Sequence, residues 1–395
     1  MAIDILVILV YFVFLIVIGW AFRSFSQNTS DYFKGGGKML WWMVGATAFM
    51  VQFSALVFTG IAGKALTDGL SVMMVFFGNA FGYFCNYLFF AAKSRQMRVV
   101  TPMEGMRLRY GKVNEQVFIW CNVPNSVLSA AIWLNSLAIF AAAVFDVPVP
   151  ITIIVTGAVV VLMSVTGGAW AVVASDFLQM VVVMAVSVTS AIVAAAKSGG
   201  VVPLLEKGLP ENAFAGPGYI HMGLFVFWAF TAFAKQLFST NNMMDSYRFM
   251  CAKDTKHARK GALLACCLMF IGPLIWFLPD FFVAGNYPDT STWGLESLGN
   301  SIKDATYYMF VSREMPAGMV GLMMGAIFAA TMSSMDSALN RNAGIYVRNF
   351  HKHFINKDAD EEKMLQIGKK ATVVFGVAVI VVGLFLNQVQ DMGLI

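Results

Sequence analysis

The sequence predicts an all-α membrane protein, on three observations. Apolar residues make up 58% of the chain and charged ones only 12%, with a mean hydropathy of +0.71. Windows free of charge pairs recur ten times, each near the roughly 20 apolar residues that one helix needs to cross the hydrocarbon of a bilayer. Lys and Arg concentrate in alternate connections between these windows. No soluble core needs that much apolar area.

The first window, about 3–22, is too long for a secretion signal, lacks a basic start and is followed by no small-residue cleavage site, so it reads as a retained leading helix. The others run about 39–63, 69–92, 116–145, 149–166, 169–196, 222–247, 261–283, 316–341 and 371–388. Polar stretches near 200–220, 284–315 and 348–370 carry Pro, Gly and Asn and read as loops, so residues 1–395 form a single membrane domain. Cys85, Cys121, Cys266 and Cys267 fall inside apolar windows and Cys251 at a helix end, with no disulfide or zinc spacing.

With the amino terminus outside, 21 of the 27 Lys and Arg fall in cytoplasmic loops and 5 in outer loops, leaving Lys235 inside a helix. That asymmetry is what the positive-inside rule demands, and it places the chain in a cell membrane, expected to be a bacterial inner membrane. The net charge of +5 therefore serves the lipid bilayer and not nucleic acid. Nothing in the sequence calls for an obligatory protein partner.

Polar residues in lipid are costly and usually face a cavity or pathway. The charges singled out within the apolar windows are Asp176, Lys235 and Asp336, accompanied by Gln52 and Ser54, by Ser175 and Gln179, and by the run from Thr331 to Ser337. Asp176 lies eight residues after Gly168, and Ser333 eight residues before Arg341. At 1.5 Å of rise per residue both sit about 12 Å in from the same face. A carboxylate and hydroxyls at one depth suit a hard cation such as Na⁺. The plainer readings are that these hydroxyls bond back to the carbonyl four residues earlier, and that Asp336 simply reaches the interface near Arg341.

Four segments carry a family resemblance. Gly167-Gly168-Ala169-Trp170 through Ser175-Asp176 to Gln179 resembles the signature of the sodium/solute symporter family, which includes the sodium/glucose cotransporters. Ala329-Ala330-Thr331-Met332-Ser333-Ser334, continuing to Asp336-Ser337, resembles its sodium-site helix. Asp31-Tyr32-Phe33 with Gly36-Gly37 and Trp41-Trp42, and Thr101-Pro102-Met103-Glu104 with Arg109-Tyr110-Gly111, resemble two further family segments. The resemblance implies an inverted repeat of five plus five helices, LeuT-like, behind one extra N-terminal helix. The first repeat would cover about 39–196 and an incomplete second about 222–388, the last core helix being absent from this chain.

The same resemblance implies a sodium site built from backbone carbonyls of Met50, Phe53 and Ala330 and the hydroxyls of Ser333 and Ser334, with a helix break from Gln52 to Ala55. Asp176, with Gln179 beside it, either supports that site or contributes to a second one, for which Ser333, Asp336 and Ser337 are further candidates. Leu56, Val57 and Phe76 stand where the hexose transporters carry polar side chains, which disfavours a neutral hexose. Lys235 aligns with a sugar-binding Asn and Phe238 with an aromatic inner gate. Lys235 is too deep to snorkel, so it is neutral, paired with a protein carboxylate, or paired with substrate, unless its helix is misplaced. Gln52, Ser54, Lys235 and Phe238 are the expected substrate contacts.

The function expected on these grounds is sodium-coupled symport of a small polar solute by alternating access, the solute being a sugar acid or another carboxylate. A solute sensor built on the same bundle, a proton-coupled carrier and an inactive truncated relative are the alternatives. No enzyme is expected: neither a nucleophile and base pair nor a phosphate loop occurs.

Overall fold

The structure is a computed structural model and describes residues 2–22, 35–210, 222–356 and 360–391. The Asp31-Tyr32-Phe33 motif lies outside the described residues. Helix accounts for 88% of the structure, and no strand occurs among the described residues. Lipid imposes this, because a helix satisfies its backbone N–H and C=O groups within its own segment.

In chain order the principal helices are α1 (Ala2–Phe22), α2 (Trp41–Gln52), α3 (Ala55–Phe58), α4 (Gly60–Asp68), α5 (Met73–Cys85), α6 (Pro102–Phe145) and α7 (Val149–Lys197). They continue with α8 (Met222–Thr240), α9 (Thr255–Ile271), α10 (Leu278–Asn286), α11 (Thr306–Glu314), α12 (Met319–Ile345) and α13 (Glu361–Asp391). Among the described residues seven helical stretches are long and apolar enough to cross a membrane, and Val149–Val165 is a shorter apolar helix. Some predicted windows merge: Ala55–Gln96 carries the end of the second and all of the third.

Helix α12 is the centre of the bundle, packed against α7, α6, α1 and α13. Helix α7 meets it twice. Ser164 donates to the Asp336 carboxylate, while Asp176 faces Ser333. These partners lie three residues apart on α12 and twelve apart on α7, about 4.5 Å against about 18 Å of helix. The parts of α7 around Ser164 and around Asp176 therefore both reach one short stretch of α12.

The extra helix α1 is fastened at its start. Asp4 Oδ1 accepts from the backbone N–H groups of Gly318 and Gly321, both at 3.1 Å, and so serves two of the unpaired donors that begin α12. A Cβ on Gly321 would lie 2.3 Å from the Asp4 carbonyl oxygen, so only glycine permits this approach.

The basic loops gather on one face. Arg95 donates to the carbonyl of Lys253 at 3.2 Å, Arg348 to Glu104 at 2.8 Å and Arg341 to Asp245 at 3.4 Å. Met39 pairs with Ala252 beside them. At the opposite end Lys197 pairs with Glu314 at 2.7 Å and Lys207 with Asn286 at 2.6 Å.

Candidate sodium and solute site

Nothing local in Gln52-Phe53-Ser54-Ala55 stops a helix: there is neither proline nor glycine. Yet Phe53 (φ −113°, ψ 101°) and Ser54 (φ −122°, ψ 178°) are extended, separating α2 from α3. Helix α12 supplies what the ladder loses. The Ala55 N–H donates to Thr331 Oγ1 at 3.1 Å, and Ser54, although it precedes α3, makes no capping bond. The Ser334 hydroxyl lies 3.2 Å from the Met50 carbonyl oxygen, 3.3 Å from that of Val51 and 3.2 Å from that of Ala330. Carbonyls at the unwound end of α2, of which that of Met50 still accepts the Phe53 N–H at 3.1 Å, thus meet a hydroxyl and a carbonyl of α12.

Ser333, next along α12, points elsewhere. Its hydroxyl faces the Asp176 carboxylate, which also faces the Thr47 hydroxyl of α2. All three groups are buried, yet both Asp176 oxygens, Ser333 Oγ and Thr47 Oγ1 lack a hydrogen bond. Buried oxygen atoms are rarely left so, and the Arg248 charge acts on this carboxylate without a direct ion pair. A hard monovalent cation is what this donor set fits, since nitrogen and sulfur take no part.

The remaining expected ligands divide. Asp336 is 3% exposed, receives the Ser164 hydroxyl and lies within electrostatic reach of Asp176; it does not extend to Arg341, which pairs with Asp245. Ser337 lines a narrow cleft with Thr47 and Asn340. Gln179 faces Tyr11 of α1.

Gln52 borders a polar cavity of about 170 Å³ together with Asn125, Ser129, Ser239, Asn242 and Ser334. Ser54 is buried at the break. Lys235 and Phe238 are exposed on α8, which packs mainly against α5, so the structure does not enclose them with Gln52 and Ser54. Lys235 makes no ion pair among the described residues, which removes the internal salt bridge there. It does share a helical stripe with Ser239, four residues on.

Several neighbours escape sequence reasoning. Thr47 and Ser164 are ordinary residues in apolar windows, and for them, as for the role of Thr331 within its run, only tertiary contact shows what they do. An aromatic cluster fills the space beside the break: Phe53 lies 4.4 Å from Trp276 and 5.2 Å from Phe58, and Phe76 lies 5.4 Å from Trp276. Asp280 falls inside the eighth window and was not among the charges singled out; Pro279 before it marks a helix start and disguises its depth.

Comparison with known proteins agrees with this geometry. The sodium:solute symporter family matches residues 32–395. The sodium/glucose cotransporter of Vibrio parahaemolyticus is 25% identical over 94% of this chain and 73% of its own length. The sodium/myo-inositol cotransporter 2 of Oryctolagus cuniculus is 27% identical over 93% of this chain, which spans 59% of that protein. In fold the chain is similar to a Na⁺-coupled sialic acid symporter solved in a substrate-bound outward-open state, with a TM-score of 0.82, 19% identity, and coverage of 98% of this chain and 82% of that one. That likeness extends the LeuT-like architecture to nearly the whole chain. An interrupted helix held by α12, seven apolar spans and a match over residues 32–395 together place the chain in the sodium:solute symporter family, multi-pass membrane transporters with sodium as coupling ion and not enzymes.

Proposed function

We propose that the protein is a secondary active symporter that imports a small polar solute with sodium by alternating access. The observation that carries this is the break at Phe53–Ser54, whose Met50 carbonyl converges with the Ala330 carbonyl on Ser334 Oγ. In this reading sodium binds the carbonyls of Met50, Phe53 and Ala330 and the hydroxyls of Ser333 and Ser334, the Ser333 hydroxyl turning from Asp176 toward the ion. Its binding ties α2 and α3 to α12 and favours the outward-open state; its release inside lets the bundle rock back. Asp176 provides charge compensation, either to that ion or to a second sodium shared with Ser333, Asp336 and Ser337, with Gln179 as support. The membrane potential adds about 2.3 kcal/mol per charge per 100 mV to the driving force. The excess of Lys and Arg on one face supports an orientation with the amino terminus outside, in a bacterial inner membrane.

We assign the solute to the carboxylates, with sugar acids foremost. Lys235 has no protein counter-ion among the described residues and lies on the stripe of Ser239, which lines the cavity with Gln52 and Asn242. The structural neighbour is named for sialic acid, itself a sugar acid. Phe238 and Ser54 complete the proposed contacts. Uptake into proteoliposomes under a sodium gradient at fixed pH, against choline, is the test. Accumulation of an acidic solute only with sodium is expected, with Lys235→Met raising its half-saturation about tenfold or more. Equal uptake in choline, or an unchanged half-saturation in Lys235→Met, contradicts the respective part.

A further inference from the structure

A second buried carboxylate lies outward of the break and takes no part in the scheme above. Asp280 is 0% exposed in the first turn of α10, and neither of its oxygens has a hydrogen bond. Its neighbour across the interface is Tyr307 of α11, whose hydroxyl faces Ser187 and Ser190 of α7 and lies within electrostatic reach of Asp280. Ser187, Ser190 and Tyr307 are themselves buried, and their side-chain oxygens also lack hydrogen bonds. No basic side chain among the described residues acts on Asp280.

Asp280, Tyr307 and the two serines thus sit on three helices that pack on one another, and no basic side chain among the described residues balances the carboxylate. Burying an ionised carboxylate uncompensated is prohibitive, and buried hydroxyls left without partners add to the cost. A proton on Asp280 removes its charge but supplies only one donor to the oxygens around it. A small hard cation answers both demands, because carboxylate and hydroxyl oxygens are its preferred ligands. Spacing keeps the region apart from the break site: Ser187 lies eleven residues beyond Asp176 on α7, about 16 Å further along the helix. The two are joined by packing, since Phe58 stacks edge-on to Phe53 at 5.2 Å and to Tyr307 at 4.8 Å.

We propose that Asp280, with Tyr307, Ser187 and Ser190, forms an additional cation site that takes sodium on the outer side of the break. The assignment of sodium rests on the chain's reading as a sodium-coupled carrier. Occupancy there would steady α11 and, through Phe58, the short helix α3 that follows the break.

Equilibrium binding of radioactive sodium to the full chain in lipid nanodiscs tests this. Asp280→Asn, a neutral isostere, is expected to bind one sodium fewer than the unmodified protein. Tyr307→Phe keeps the ring against Phe58 and is expected to weaken one sodium about tenfold without changing the number. Unchanged number and affinity in both variants overturns the proposal. So does an Asp280→Asn effect confined to the pH profile, which gives the compensating charge to a proton. Absence of any sodium binding by the unmodified protein overturns the symporter reading as well, so the two failures are distinct.

Discussion

Ser333 and Ser334 are neighbours on α12 with different partners. About 100° of helical rotation between them sends one hydroxyl to Asp176 of α7 and the other to the carbonyls at the unwound end of α2, so the pair joins three helices at one point. Asp304, in the connection before α11, shows how burial without a close partner reads out in stability. Its carboxyl is pushed from 3.8 up to about 6 by desolvation, against the pull of Lys64. The folded state thus holds this proton more tightly than the unfolded state. Its contribution is fully present below about pH 4 and is lost as pH rises to about 6, on the order of 2–3 kcal/mol. We expect thermal stability to fall across that window and the fall to be absent in Asp304→Asn; identical pH profiles contradict this. The depth argument from sequence put Asp176 and Ser333 on one level, and the structure brings them together. Thr47 and Asp280 were illegible for a different reason, because a hydroxyl in an apolar run and an acid beside a proline look like routine helix packing and a helix end.

The break between α2 and α3 belongs to the element scale, for it is imposed from outside the segment that breaks. Gln52-Phe53-Ser54-Ala55 has ordinary helical propensity, and the cost of its lost hydrogen bonds is met by Thr331 and Ser334. Replacing Thr331 by Val keeps the volume but leaves the buried Ala55 N–H unpaired, which costs about 1–3 kcal/mol. We expect a lower thermal midpoint in detergent and weaker sodium dependence of that midpoint; an unaltered midpoint contradicts the capping role. Sequence periodicity locates helices because lipid forces every backbone group to be satisfied within a segment. It does not locate this break, which only the family resemblance placed between Gln52 and Ala55.

At the scale of the molecule, charge pairs close the basic face while the site lies behind them. Asp245 holds both Arg341 at 3.4 Å and Arg248 at 3.7 Å, at the edge of the polar cavity that reaches Gln52 and Ser334. Asp245→Asn removes both ion pairs and is expected to favour the inward-open state. Labelling of a Ser129→Cys probe by a membrane-impermeant thiol reagent from the basic face becomes several-fold faster on this account, and an unchanged rate contradicts it. The gathering of basic loops on that face was legible from composition alone, since a bilayer sorts Lys and Arg by side. What composition does not carry is which hydroxyl binds which ion. The most direct measurement is therefore the sodium half-saturation of solute uptake at fixed pH in the unmodified protein and in Ser334→Ala. Loss of a hydroxyl that converges with the carbonyls of Met50 and Ala330 removes roughly 1–2 kcal/mol of ion binding, and we expect the half-saturation to rise about 5- to 30-fold. An unchanged half-saturation would contradict a sodium ion held between the break and α12.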